Sequence, residues 1–91
     1  MADEFITDEF QSAVKRILDL NREPTNDEKI TLYGLYKQAT IGDVNVQEPY
    51  FFDLVGKAKW HAWNKYKGTS KGDAAKKYIE YVDELLLLTS Q

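Results

Sequence analysis

The chain has 91 residues, a hydrophobic fraction of 43%, a charged fraction of 30% and a formal net charge of −3. That size and balance suit one soluble globular unit. The absence of cysteine removes thiol nucleophiles, disulfide frameworks and cysteine-type zinc sites, and makes an intracellular, cytoplasmic location the expectation.

The start, "MADEFITDEF", is acidic and has neither the basic head nor the apolar run of a signal peptide. The first helix is expected over about 8–20, with Phe10, Ala13, Val14, Ile17 and Leu20 at three-to-four spacing. Asp8 and Glu9 complement the helix dipole at its start, and "NREP" breaks it before Pro24.

The second helix, about 26–41, opens on a capping signature, Thr25 followed three residues later by Glu28. Ile30, Tyr33, Leu35, Tyr36 and Ala39 carry it forward, and Gly42 is placed to end it. Residues 42–55, "GDVNVQEPYFFDLV", hold a glycine, a proline and no sustained period. They read as a long connection packed down by Val44, Val46, Tyr50, Phe51 and Phe52.

A third helix is expected over about 56–66, with Trp60 and Trp63 three apart and Ala62 and Tyr66 four apart. Gly68 closes it. The fourth, about 70–88, begins on a second box-like pair, Ser70 with Asp73, and lines up Ala74, Tyr78, Val82 and Leu85. Leu85–Leu88 is the longest apolar run, far short of a membrane span, yet more than one helix face needs. It leaves room for a weak self-contact. No strand-like alternation and no repeat appear, so the class is all-α, a four-helix domain over 1–91.

Catalysis finds little support. His61 is the only histidine, and no nucleophile elbow surrounds Ser12 or Ser70. No His/Cys cluster, calcium-loop pattern, Walker motif or Rossmann glycine pattern occurs, so no metal and no catalytic residue are assigned.

Charge is distributed unevenly. Acids crowd the first 29 residues and the tail, whereas lysines outnumber acids between Tyr33 and Lys77. On a helix, Tyr33, Tyr36 and Lys37 are neighbours, which sets two phenols beside an ammonium. Lys59 projects near two indoles, and Tyr78 puts a hydroxyl into an aliphatic stripe. Two readings fit this pattern equally: core tyrosines with wet tips among solvated lysines, or a surface for a flat, negatively charged ligand.

The strings "YGLYKQAT-GD", "GKAKW-AW" and "KGTS--DA---YI--V" resemble the signature of the acyl-CoA-binding protein family, in the same order and with the same gaps from about Phe10 to Leu86. The resemblance implies an up-down-down-up four-helix bundle with a long connection between helices 2 and 3. It also implies non-catalytic binding of medium- and long-chain fatty acyl-CoA, with no cofactor. By residue match, Tyr33, Gly34, Leu35, Tyr36 and Lys37 fall in the adenine- and 3′-phosphate-recognising turn. Lys59 matches a second phosphate-binding lysine and Tyr78 a ligand-contacting tyrosine, while Trp60 and Trp63 match core positions.

The chain departs from the family where Leu18 and Val55 replace frequent lysines, and where Pro49-Tyr50 replaces Pro-Gly. The implied partners are acyl-CoA itself and acyl-CoA-using enzymes, for a monomer with no nucleic-acid role and no stable membrane insertion. A protein-interaction module using Tyr50, Phe51 and Phe52 is the reading to set beside it. A nucleic-acid binder is a third, disfavoured by an acidic chain with only two arginines.

Overall fold

The structure, a computed structural model, describes the backbone of residues 7–89 and the side chains of residues 7–87. The acidic opening at 1–6 and the side chain of Leu88, on which expectations also rested, lie outside them. The described chain forms α1 (Asp8–Arg16), continued by a 3₁₀ turn (Ile17–Asp19), α2 (Asn26–Thr40), α3 (Leu54–Asn64) and α4 (Lys71–Thr89). This is the all-α, four-helix class that the periodicity predicts, with no strand among the described residues.

Each helix start has a local cause. Thr7 Oγ1 accepts from the Phe10 N–H at 3.1 Å and caps α1. At α2 the capping box is complete: the Glu28 N–H donates to Thr25 Oγ1 and the Thr25 N–H to Glu28 Oε1. Ser70 Oγ accepts from the Asp73 N–H at the start of α4. Gly42, at φ 100°, takes the left-handed conformation that stops α2.

Three boundaries differ from expectation, the simplest being that the third helix stops at Asn64 instead of about 66. The first helix tightens after Arg16 instead of running evenly to Leu20. The third begins at Leu54, two residues before Gly56, because Asp53 supplies the cap. Its Oδ1 accepts the Gly56 N–H at 3.0 Å, and a Cβ on Gly56 would run into that carboxylate.

α2 is the central element, packed on α3 along one side and on α4 along another, while α1 lies against α4. The predicted stripe of α4 is buried: Ala74, Tyr78 and Val82 pack with Phe10, Ala13, Leu35 and Ala39 in the interior, and Leu85 is buried as well. Gln38 is the buried polar side chain of this interior; its Nε2 donates to Asp43 Oδ1 and to the Thr69 carbonyl. The Asp43 carboxylate also accepts the Gly68 N–H, and these bonds hold it below the ordinary aspartate range. One side chain thereby fastens the α2–α3 connection to the α3–α4 turn.

The long connection corrects an expectation. Tyr50, Phe51 and Phe52 are 77%, 80% and 70% exposed, and Val46 is also exposed, so these residues do not pack the connection down. Anchoring comes from polar contacts instead. The Trp60 indole N–H donates to the Val46 carbonyl at 2.8 Å, and Glu48 meets Lys57 and His61 at 3.1 and 2.9 Å. In Leu85–Leu88, Leu85 is buried and Leu87 is 63% exposed, as a run longer than one face requires.

Glu28 gives the fold a readable acid response. Arg22 donates two hydrogen bonds to it, at 2.7 and 3.0 Å, and the Thr25 N–H donates a third, which together lower its pKa from 4.5 to about 2. The folded pKa lies below the unfolded one, so the stabilisation is complete above about 4.5 and disappears as pH falls towards about 2. Melting temperature should decline through that window, and Glu28→Gln should flatten the decline. An unchanged slope in the variant would assign the acid sensitivity to other carboxylates.

Candidate functional site

α2 carries the first group of candidate residues, and its surface divides between two neighbours. Successive residues advance by about 100° around the axis, so Tyr33 and Lys37 stack nearly above one another whereas Tyr36 turns aside. Tyr33 and Lys37 look towards α3, and Tyr36 looks towards α1 and α4. The three do not share a single contact surface; they flank one edge of α2.

On the α3 side, the Lys59 ammonium lies 5.5 Å from the centre of the Tyr33 ring, and the Lys37 ammonium lies 4.8 Å from a Trp63 ring centre. Both distances fall within the cation–π range. Each lysine is therefore held by an aromatic face contributed by the opposite helix. Neither is ion-paired with a carboxylate among the described residues, so both retain hydrogen-bond donors for an anion. Trp63 is buried and its indole N–H donates to the Gly42 carbonyl at 2.7 Å, which fixes the ring under Lys37.

Gly34 makes this side possible. Its missing side chain lets α2 approach the Ala62 backbone, and a Cβ there would collide with the Ala62 carbonyl. Gly34 and Leu35 are both buried, so their contribution is the approach of α3 and the interior respectively, not a surface. Gly34→Ala should lower stability by about 1–3 kcal/mol by overpacking, despite alanine's better helix propensity. Thermal denaturation checks it; an unchanged or raised melting temperature would mean that the two helices separate freely.

On the other side, Tyr36 stacks on Phe10 at 5.9 Å with an interplanar angle of 22°, and meets Tyr78 edge-on at 6.3 Å. Phe10 and Tyr78 are 5.1 Å apart. Tyr78 is 4% exposed, and burial together with the neighbouring Tyr36 phenol pushes its hydroxyl pKa up. It stays neutral and available as a donor. Phe10, Gln11, Val14, Lys15 and Tyr36 line a shallow cavity of about 310 Å³ here.

An apolar groove adjoins the α3 side. Ile30, Leu54, Val55 and Ala58 form its walls, Lys29 and Lys59 stand on its rim with Asn26 and Asp27, and its volume is about 440 Å³. Leu54 and Val55 are 75% and 70% exposed. The sequence leads one to expect an apolar groove between helices for an acyl chain but does not name its lining, because Ile30 of α2 meets Leu54, Val55 and Ala58 of α3 only through the crossing of the two helices. It likewise placed Phe10 and Trp63 in the core alone, without their roles as platforms for Tyr36 and Lys37.

No group of three or more carboxylate or histidine side chains able to hold a metal occurs among the described residues. No helix among them is long and apolar enough to cross a membrane.

Four helices, a cation pair set on aromatic rings and an adjoining apolar groove define a helical domain equipped for an amphipathic anion. The comparisons give that class a family. The family model described as acyl CoA binding protein matches residues 7–82. An acyl-CoA-binding protein of Dictyostelium discoideum is 46% identical over 76 residues, covering 84% of this chain and 90% of its own. Homolog 1 of Caenorhabditis elegans is 47% identical over 77 residues, with 85% and 90% covered. The crystal structure of acyl-CoA-binding protein 2 from Oryza sativa superposes with a TM-score of 0.85 at 40% identity, covering 90% of this chain and 91% of that one. The chain belongs to the acyl-CoA-binding protein family.

Proposed function

We propose that this protein binds fatty acyl-CoA of medium and long chain length, one molecule on the single domain formed by 1–91, and carries and buffers it without catalysis. The observation that carries the reading is the junction at Lys59: an apolar groove ends at a lysine seated on Tyr33. An acyl-CoA has the matching order of parts, an alkyl chain joined to an anionic nucleotide. The acyl chain lies along Ile30, Leu54, Val55 and Ala58. Lys59 and Lys37 take phosphate oxygens, including the 3′-phosphate, and the adenine rests in the shallow cavity against Tyr36, backed by Phe10 and Tyr78.

The two halves divide the binding energy. Hydrogen bonds to charged groups contribute about 1.5–3 kcal/mol each. A buried methylene contributes up to about 0.8 kcal/mol, so ten give about 8 kcal/mol before ordering costs. Their sum reaches the nanomolar range, near −12 kcal/mol, which neither half attains alone. Leu18, 83% exposed, and Val55 stand where the family frequently has lysines, which reduces cationic character and, at Val55, extends the apolar wall.

Acting on this ligand requires no cofactor. The setting that fits is a cytoplasmic monomer that gives up acyl-CoA to enzymes that consume it.

A chain-length series tests the groove. Affinity for octanoyl-, dodecanoyl- and hexadecanoyl-CoA, measured by calorimetry, should rise with each added methylene until the groove is filled. Equal affinity across the series would remove the acyl chain from the interface.

A further inference from the structure

The connection between α2 and α3 ends in three consecutive aromatic residues, followed by Asp53, Leu54 and Val55. Tyr50, Phe51, Phe52, Leu54 and Val55 are each at least 70% exposed and, interrupted only by Asp53, follow one another along the chain as an apolar tip. Its rings are ordered against one another: Tyr50 stacks on Phe52 at 5.6 Å and 12°, and Phe51 meets Phe52 edge-on at 5.5 Å. The base of the connection is pinned to α3 by the Trp60–Val46 and Glu48–His61 contacts. A tip held this way is presented rather than collapsed, and exposed apolar clusters of this kind mark interaction surfaces.

Three observations select the partner. First, Leu54 and Val55 belong both to the tip and to the wall of the acyl groove, so the tip is continuous with the groove's open side. Second, the acids nearest the tip are occupied: Asp53 caps α3 through the Gly56 N–H, and Glu48 is paired with Lys57 and His61. On the groove rim beside it Lys29 is ion-paired with Glu23 and Asp27 stands with Lys59, so the border is balanced in charge and the centre uncharged, as a zwitterionic lipid surface accepts. Third, the tip belongs to a loop and a helix start, with Tyr50 supplying a hydroxyl beside two bare rings. Aromatic rings with a polar end settle at the headgroup level of a bilayer, with lysines towards the phosphates.

We propose that the Tyr50–Val55 tip docks on a phospholipid bilayer surface and sets the acyl groove against it, so that an acyl chain passes between membrane and protein without crossing bulk water. The docking rests on the acyl-CoA reading above for its purpose, but not for its detection. The groove chain would leave the membrane past Leu54 and Val55 while the nucleotide stays on the aqueous side with Lys59. With a net charge of −3 on the whole chain, attraction to anionic lipid is not the driving force; insertion of the rings is.

The test uses the full chain and the Phe51→Ser/Phe52→Ser double variant, whose changed rings line neither the groove nor the interior. In vesicle-free buffer both proteins should bind dodecanoyl-CoA equally and melt alike. In flotation with phosphatidylcholine vesicles the wild-type chain should partition with lipid in low and in high salt, and the double variant should partition roughly tenfold less or weaker still. Uptake of hexadecanoyl-CoA from donor vesicles should accelerate with vesicle concentration for the wild type and lose that dependence in the variant.

Wild-type protein that binds dodecanoyl-CoA but never floats with vesicles would overturn the docking and leave the ligand reading standing. Flotation without dodecanoyl-CoA binding would support the docking and overturn the ligand reading. Equal flotation of the variant would overturn the role of the rings. Wild-type dimers that the double substitution converts to monomers would reassign the tip to a second copy of the chain, and so overturn the proposal as well.

Discussion

Replacing Lys37 or Lys59 with alanine is expected to weaken acyl-CoA binding by about 1.5–3 kcal/mol, or roughly ten- to a hundredfold, while hardly changing stability. The asymmetry follows from their setting. Lys59 is exposed and Lys37 half-buried, and each rests on an aromatic face instead of a carboxylate. Removing either leaves no buried acid unpaired, so the fold loses only a cation–π contact of about 0.5–1 kcal/mol. The ligand loses a charge-assisted bond in a partly desolvated position. Lys→Arg at either site should recover charge but not full affinity, since a planar fork cannot occupy the place of a compact ammonium over the same ring. Calorimetric titration with hexadecanoyl-CoA alongside thermal melts separates the two effects. A fall in melting temperature of many degrees, with affinity retained, would make the lysines structural.

Trp63→Ala is expected to have the largest effect on stability, a loss of about 3–5 kcal/mol. Trp63 is 3% exposed, its ring supports Lys37, and its indole N–H donates to the Gly42 carbonyl where α2 ends. The substitution therefore opens a cavity, frees the Gly42 carbonyl and removes the aromatic platform under Lys37 together. For a domain whose total stability is about 5–15 kcal/mol, that is a large share. Trp63→Phe retains a ring but not the donor, so it should cost less, about 1–3 kcal/mol. Denaturant unfolding of both variants gives the order directly. A Phe variant as damaged as the Ala variant would place the energy in the hydrogen bond rather than in the packing.

Features that rest on local physics were legible in the sequence. The Thr25–Glu28 box, the stop at Gly42 and the buried stripe of α4 depend on neighbours three or four residues apart, and those are visible without a fold. The Asp53 cap escaped because its partner, Gly56, looked like a helix start, and Leu54 and Val55 looked like the end of a loop. The side on which Tyr50, Phe51 and Phe52 would lie was not legible either: without a period, hydrophobicity carries no direction, and their exposure is decided by Trp60, Lys57 and His61 on another element.

At the candidate site the residue types were visible but their grouping was not. Spacing alone joined Tyr33, Tyr36 and Lys37, whereas the structure pairs Tyr33 with Lys59, Lys37 with Trp63, and Tyr36 with Phe10 and Tyr78. Those pairings depend on how closely α2 crosses α3, which Gly34 sets through the Ala62 backbone. The groove of Ile30, Leu54, Val55 and Ala58 is a product of the same crossing. A resemblance carried residue by residue can name such positions, but only the packing says which of them touch.

On the acyl-CoA reading, one molecule must present both an alkyl chain and a phosphorylated nucleotide to be held well. A calorimetric comparison of hexadecanoyl-CoA, its 3′-dephospho form and free hexadecanoate on the wild-type chain tests it most directly. Tight one-to-one binding of hexadecanoyl-CoA is expected, with a strong loss on removing the 3′-phosphate and the weakest binding for the free acid. Equal affinity for hexadecanoate and hexadecanoyl-CoA would contradict it, because Lys37, Lys59 and the tyrosines would then contribute nothing to recognition.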